Sequence, residues 1–206
     1  MTTKKYEINK DGRIVALIDI PKIGVRVGDV GGVVSSEFNL SHNGTCWIGY
    51  NASVIDVAVV CDSALIKDSA VVCGHAAVSN SAIIRDSATV GGFAKVFGNA
   101  VVSGVANVRA HSRISGSASV RDGAEILGDA VIFGNASITG YGLVLGRAKI
   151  GDNALVKGHA IVRGNAGVYG SAVVCDHAVI EGDDVLYGNL VACSSGVLYK
   201  NTAAII

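Results

Sequence analysis

From Thr45 to Ile206 apolar and polar positions recur every six residues. Read from Thr45, the hexads run TCWIGY, NASVID, VAVVCD, SALIKD, SAVVCG and so on to NTAAII. The 162 residues make 27 hexads with no insertion, so the period governs the reading of every segment within it. The second position is Ala in 20 hexads and the fourth is Val, Ile or Leu in 25, which marks these two as the inward pair. Positions two and four share a parity, so in a strand both side chains point to one side. A helix would need apolar residues near every 3.6 positions, a spacing the hexads do not follow. β-Branched residues favour extended backbone. The Gly, Asp or Asn that closes most hexads tolerates a sharp corner. Each hexad therefore predicts a short strand plus a turn, and the chain an all-β repeat architecture.

Residues 1–44 do not keep the hexad. Ile14 to Ile20 reads as a buried strand ended by Pro21, the single proline. VRVGDVGGVV follows, and then the polar run SSEFNLSHNG. A solenoid's first coil leaves an open edge of unpaired backbone groups, which needs covering. Residues 1–44 are therefore expected to be an N-terminal capping segment and 45–206 the solenoid domain. The last hexads weaken: their second positions become Asp184, Leu190, Gly196 and Thr202, and Ala192 and Ala204 take the fourth. Atypical terminal repeats are expected of a solenoid.

The elements VRVGDVGG, NLSHNG and TCWIGYNA, together with the hexads, resemble the hexapeptide-repeat family over the whole chain, in particular its bacterial and phage acyltransferase-like members. The resemblance implies a left-handed parallel β-helix, a triangular solenoid with 18 residues per coil and about nine coils. At a rung spacing of ~4.8 Å such a prism is about 40 Å long. The handedness rests on the resemblance, because parallel crossovers are otherwise nearly always right-handed. The resemblance also implies a homotrimer, and acyl-CoA as co-substrate if the protein is an enzyme.

Seventeen Lys and Arg balance seventeen Asp and Glu, so no whole-chain field draws nucleic acid or a membrane. No apolar run reaches the ~18 residues of a membrane helix. The start, MTTKKYEINKDGR, lacks the apolar core of a signal peptide. Five cysteines at scattered spacings fit a reducing compartment better than a disulfide framework. These features predict a cytoplasmic protein with no cofactor. Outward positions on two faces are apolar, among them Leu65, Ile83, Val101, Leu155 and Val173 on the Thr45 face and Leu127, Leu143, Leu145 and Ile161 on the Asn51 face. That much outward apolar surface predicts subunit contacts.

Candidate chemistry follows from the 18-residue coil that the resemblance implies. The corner between the Asn51 and Val57 faces gathers Lys95, Arg109, His111, Arg113, Arg147 and Lys149, with Phe93 and Phe97 beside them. Guanidinium forks suit phosphate or carboxylate, and the aromatic rings suit a base. Near the opposite end, Cys175, Cys193, His159 and His177 are legal zinc ligands, but their spacing is that of the repeat, and no metal is expected. The small polar ladder Ser63, Ser81, Asn99, Ser117 is expected to bond corner backbone. The expected function is non-catalytic: binding or sequestering a small anionic, nucleotide-like ligand at intersubunit corners. One alternative is an acyltransferase with His111 as general base and His159 next in line. It has no break in the hexads from which to build a pocket. The other alternative is a structural rod or spike component.

Overall fold

The computed structural model describes residues 4–193. Among the described residues every hexad from Thr45 on forms a short strand at its third and fourth positions, from Trp47–Ile48 to Val191–Cys193. Strands 18 residues apart pair in parallel: Leu65 lies opposite Ile83, and Ile83 opposite Val101. Three sheets result, of eleven, nine and eight strands. The chain visits each sheet once per coil, giving a parallel β-solenoid of about nine turns.

The interior is the one the hexad predicts. Ala58, Ala76, Ala94, Val60, Val78 and Val96 are completely buried, as are their counterparts along the axis. A methyl at one inward position and a branched side chain at the other fit a narrow core. Two inward positions depart from Ala and show how a polar atom is tolerated there. Ser112 donates its hydroxyl hydrogen to the Arg109 carbonyl at 2.7 Å. Cys46 meets the buried Lys5 side chain.

Every sixth residue from Asp56 to Gly188 has a positive φ between 55° and 75°. This left-handed corner explains the Gly, Asn and Asp of the sixth position. The acids do more than tolerate it. Asp56 Oδ2 accepts the Gly74 backbone N–H one coil on at 2.8 Å, and Asp86 and Asp152 do the same for Gly104 and Gly170. Corner amides are thus capped by the sixth position. The expected role of the first-position ladder differs accordingly: its bonds run between side chains, Thr45 to Ser63 at 3.0 Å and Asn135 to Asn153 at 3.0 Å. A side chain at the corner itself reaches the next corner's amide, whereas one residue later it points along the ladder.

Residues 4–44 extend the Asn51 face. Strands β1 (Tyr6–Ile8) and β2 (Arg13–Ala16) are antiparallel, and β3 (Val30–Val34) pairs antiparallel with β2 and parallel with Ser53–Val54. The expected strand to Ile20 is shorter than its apolar run. It stops at Ala16: the chain bends at Leu17 and Ile18, which leaves both more than a third exposed, and Ile20 returns to the interior as an isolated bridge to Val25. Asn39 ties this segment to the first coil, donating to the carbonyls of Asp56 and Ala58 at 3.1 and 2.8 Å.

Towards the other end the core opens. Asp184 is half-buried and Leu190 is 41% exposed, both at inward positions. The Gly196, Thr202 and Ala204 positions lie outside the described residues. Cys175 and Cys193, in register on neighbouring strands, are joined as a disulfide with Cα atoms 4.6 Å apart. The cysteine count alone argued against such a bond; vertical stacking of equivalent positions supplies it. Cys46, Cys61 and Cys73 are free.

Candidate ligand-binding edge

The first residue of each hexad on the Val57 face stands at the corner with the Asn51 face. Here the repeat stacks His75, Phe93 and His111 on successive coils. Their rings are parallel: His75 and Phe93 have centroids 4.6 Å apart at 7°, and Phe93 and His111 4.9 Å apart at 8°. The spacing is that of the backbone rungs, so the stack needs no side-chain rearrangement. All three rings are exposed. Two residues along the strand, Lys95 and Arg113 are direct register partners, so their cationic heads leave the same sheet beside the ladder.

The structure separates the remaining sequence-derived candidates from this nucleus. Arg113 faces Val131, and Val131 faces Lys149, placing Lys149 two rungs, about 10 Å, beyond Arg113. Arg147 stands past Asp129 in the first-position row. Arg109 lies on the other side of the corner, with its Nε–H donated to Asn107 Oδ1 at 2.6 Å. Phe97 leaves the fifth position, at the far edge of the same sheet, about 13 Å from Phe93 at extended spacing. The geometry therefore unites Phe93, Lys95, His111 and Arg113, joined by His75. It leaves Arg147 and Lys149 as a separate pair and Phe97 apart.

Among the described residues, ion pairs involve Lys4, His42, Arg85 and Arg163, the last with Glu181. Lys95, Arg113, Arg147 and Lys149 form none, so their charges remain open to an external anion. The corner between Arg109 and His111 is also unusual. Ala110 has φ 59°, and it is the one such corner from Asp56 to Gly188 that is not Gly, Asn or Asp. A β-carbon in this region costs roughly 1–2 kcal/mol. Backbone strain of this kind concentrates at functional positions.

Two further clusters lie away from this edge. Tyr141, His159 and His177 form a second stacked ladder on the corner before the Asn51 face, with centroids 5.1 and 5.2 Å apart. Tyr141 stands 18 residues before His159, so the same spacing places it in the histidines' row, and the structure shows the three rings stacked. The other cluster lies at the N-terminal end. A cleft of about 470 Å³ is lined by Glu37, Phe38, Leu40, Ser41, His42, Val59 and Cys61. A cysteine, a histidine and a glutamate in one cleft suggest a nucleophile with its base, but the hydrogen bonds argue otherwise. His42 Nδ1 accepts the Lys5 backbone N–H at 3.1 Å, and Nε2 meets Glu37 Oε1 at 2.8 Å. Both ring nitrogens are committed, leaving none to activate Cys61. Burial, and then the nearby Asp62 carboxylate, also push the Cys61 thiol up, away from the thiolate. Lys5 is fully buried and donates to the Cys46 carbonyl at 2.9 Å. These contacts fasten the N-terminal segment rather than perform chemistry.

No family model matches the chain, and no curated protein matches it. The structure is a β-solenoid consistent with the β-helix resemblance drawn from the hexads. Among the described residues no helix is long and apolar enough to cross a membrane.

Proposed function

We propose that this chain is a binding protein that takes a small anionic, nucleotide-like ligand on the His75–Phe93–His111 edge. The observation that supports this reading is the stacked ladder flanked by the register pair Lys95 and Arg113, neither of which is paired with an acid. The rings are already in van der Waals stacking distance, so a planar ligand does not enter between them. It lies across their outer edges or on an end ring, with its anionic group at the Lys95–Arg113 pair. Fixed strands hold these groups in place, so little ordering entropy is lost on binding. The reading includes a left-handed coil and a cytoplasmic, phage-like homotrimer, with half-buried outward rows such as Leu65, Ile83 and Val101 in the subunit contacts.

Catalysis is the weaker reading. A general base needs an oriented imidazole within reach of a bound substrate. His111 is exposed and stacked on Phe93, and it stands three coils, about 14 Å, from the level of Val59 in the N-terminal cleft.

Calorimetry with a nucleoside monophosphate, inorganic phosphate and acetyl-CoA tests the proposal. Nucleoside phosphate is expected to bind, and Lys95→Ala with Arg113→Ala to weaken it by about 1.5–3 kcal/mol for each charged hydrogen bond lost. His111→Ala is expected to retain most of the binding. Acyl-CoA turnover abolished by His111→Ala would instead establish an acyltransferase. No affinity for any of the three, or a stable monomer at micromolar concentration by light scattering, would defeat the proposal and leave a structural rod.

A further inference from the structure

The far end of the Thr45 face carries a cluster of metal-ligating atoms unrelated to the ligand edge. Cys175 and Cys193 occupy the fifth position of successive coils and are register partners. Asp176 follows Cys175 at the corner, with φ 57°. The two sulfurs and a carboxylate oxygen of Asp176 all lie within 4.8 Å of one another. Cys175 is 6% exposed and Cys193 half-buried, so the sulfurs are shielded while the carboxylate faces water. Lys157 occupies the same fifth position one coil earlier, where a cation favours thiolate.

The disulfide is one state of these sulfurs, and the coil geometry accommodates another. Equivalent side chains on parallel rungs stand about 4.8 Å apart. A tetrahedral ion with bonds of about 2.3 Å holds two sulfurs about 3.8 Å apart. Small rotations about the two Cα–Cβ bonds span that range with the strands fixed. Two thiolates and one carboxylate favour a zinc-class ion over magnesium or calcium.

We propose that Cys175, Cys193 and Asp176 form a site for a thiophilic divalent cation when the cysteines are reduced, and that cation binding and disulfide formation are mutually exclusive. Two equivalents of a small thiol split the S–S bond, leaving two protein thiols and the reductant's own disulfide. The cation then binds, two S–H protons leave to solvent, and two metal–sulfur bonds and one metal–oxygen bond form.

Cadmium is the probe, because thiolate-to-cadmium charge transfer absorbs in the ultraviolet. Full-length protein is reduced with a dithiol, desalted without air and titrated with Cd²⁺. One ion per chain is expected, with displacement by Zn²⁺ and no band in the oxidised protein. Cys193→Ser should lose about half of the band, and Cys175→Ser with Cys193→Ser nearly all of it. Asp176→Asn, which suits the same corner, should keep the band and weaken affinity on the order of tenfold. A reduced wild-type protein without the band overturns the proposal. A full-strength band in Cys193→Ser also overturns it, since Cys61 or Cys73 would then be the ligand.

Discussion

At the residue scale, the corner position carries most of the information. Its left-handed backbone demands Gly, Asn or Asp, and the acids add a cap for the next coil's amide. Ala110 breaks the rule within the candidate edge, between Arg109 and His111. Ala110→Gly should relieve the β-carbon's cost, offset in part by greater freedom in the unfolded chain, and stabilise the protein by about 1 kcal/mol. Thermal melting measures this, and an unchanged or lower midpoint would show that the corner is not strained. If the strain serves the ligand edge, the same variant should bind nucleoside phosphate less well while melting higher.

At the element scale, the N-terminal segment is fastened by polar contacts that the solenoid lacks. Tyr6 stacks on His42 at 4.4 Å and donates its hydroxyl hydrogen to the Leu40 carbonyl at 2.8 Å. Glu37 receives Lys4 and His42, each at 2.8 Å. The Lys4 hydrogen bond, and then that of His42, holds the Glu37 carboxyl below its ordinary range. A carboxyl depressed by folding contributes stability that is full above its unfolded pKa, near 4.3, and fades as pH falls through the lower folded value. Amide exchange in β1 should therefore quicken below about pH 4 while exchange in the mid-solenoid strands stays slow. Glu37→Gln should quicken β1 exchange already at neutral pH and flatten its acid dependence. An acid response in β1 that is unaltered in Glu37→Gln would remove this latch from the account.

At the scale of the whole molecule, each coil is covered by its neighbours, so stability is shared along the axis. Val120 is fully buried, and its strand pairs with strands on both sides. Val120→Asp would place an unpaired carboxylate in that interior and should cost several kcal/mol, enough to melt the middle coils. Circular dichroism close to wild type would mean that position four does not face inward. The same sharing explains the opened last described turn, where Asp184 and Leu190 stand at inward positions and the Cys175–Cys193 disulfide ties neighbouring rungs.

The sequence by itself determined the period, the inward pair and the corner, and hence a repeat architecture, because a six-residue repeat without insertion admits one phase of burial from Thr45 on. Which residues share a row followed from the 18-residue coil that the resemblance implied, and the strand register bears that spacing out. The sequence did not determine which rows touch. Lys149 and Phe97 belong to the same face as Lys95, yet a rung count and a strand's width remove them from its neighbourhood. His75, one coil before Phe93, joins the edge through ring stacking. The N-terminal contacts were illegible for a related reason: Lys5 meets Cys46, and Tyr6 meets His42, across separations of 41 and 36 residues in a segment with no repeat to index them. Periodicity assigns a direction to every side chain in the solenoid. Outside it, and wherever two side chains must meet, only the packed tertiary structure decides.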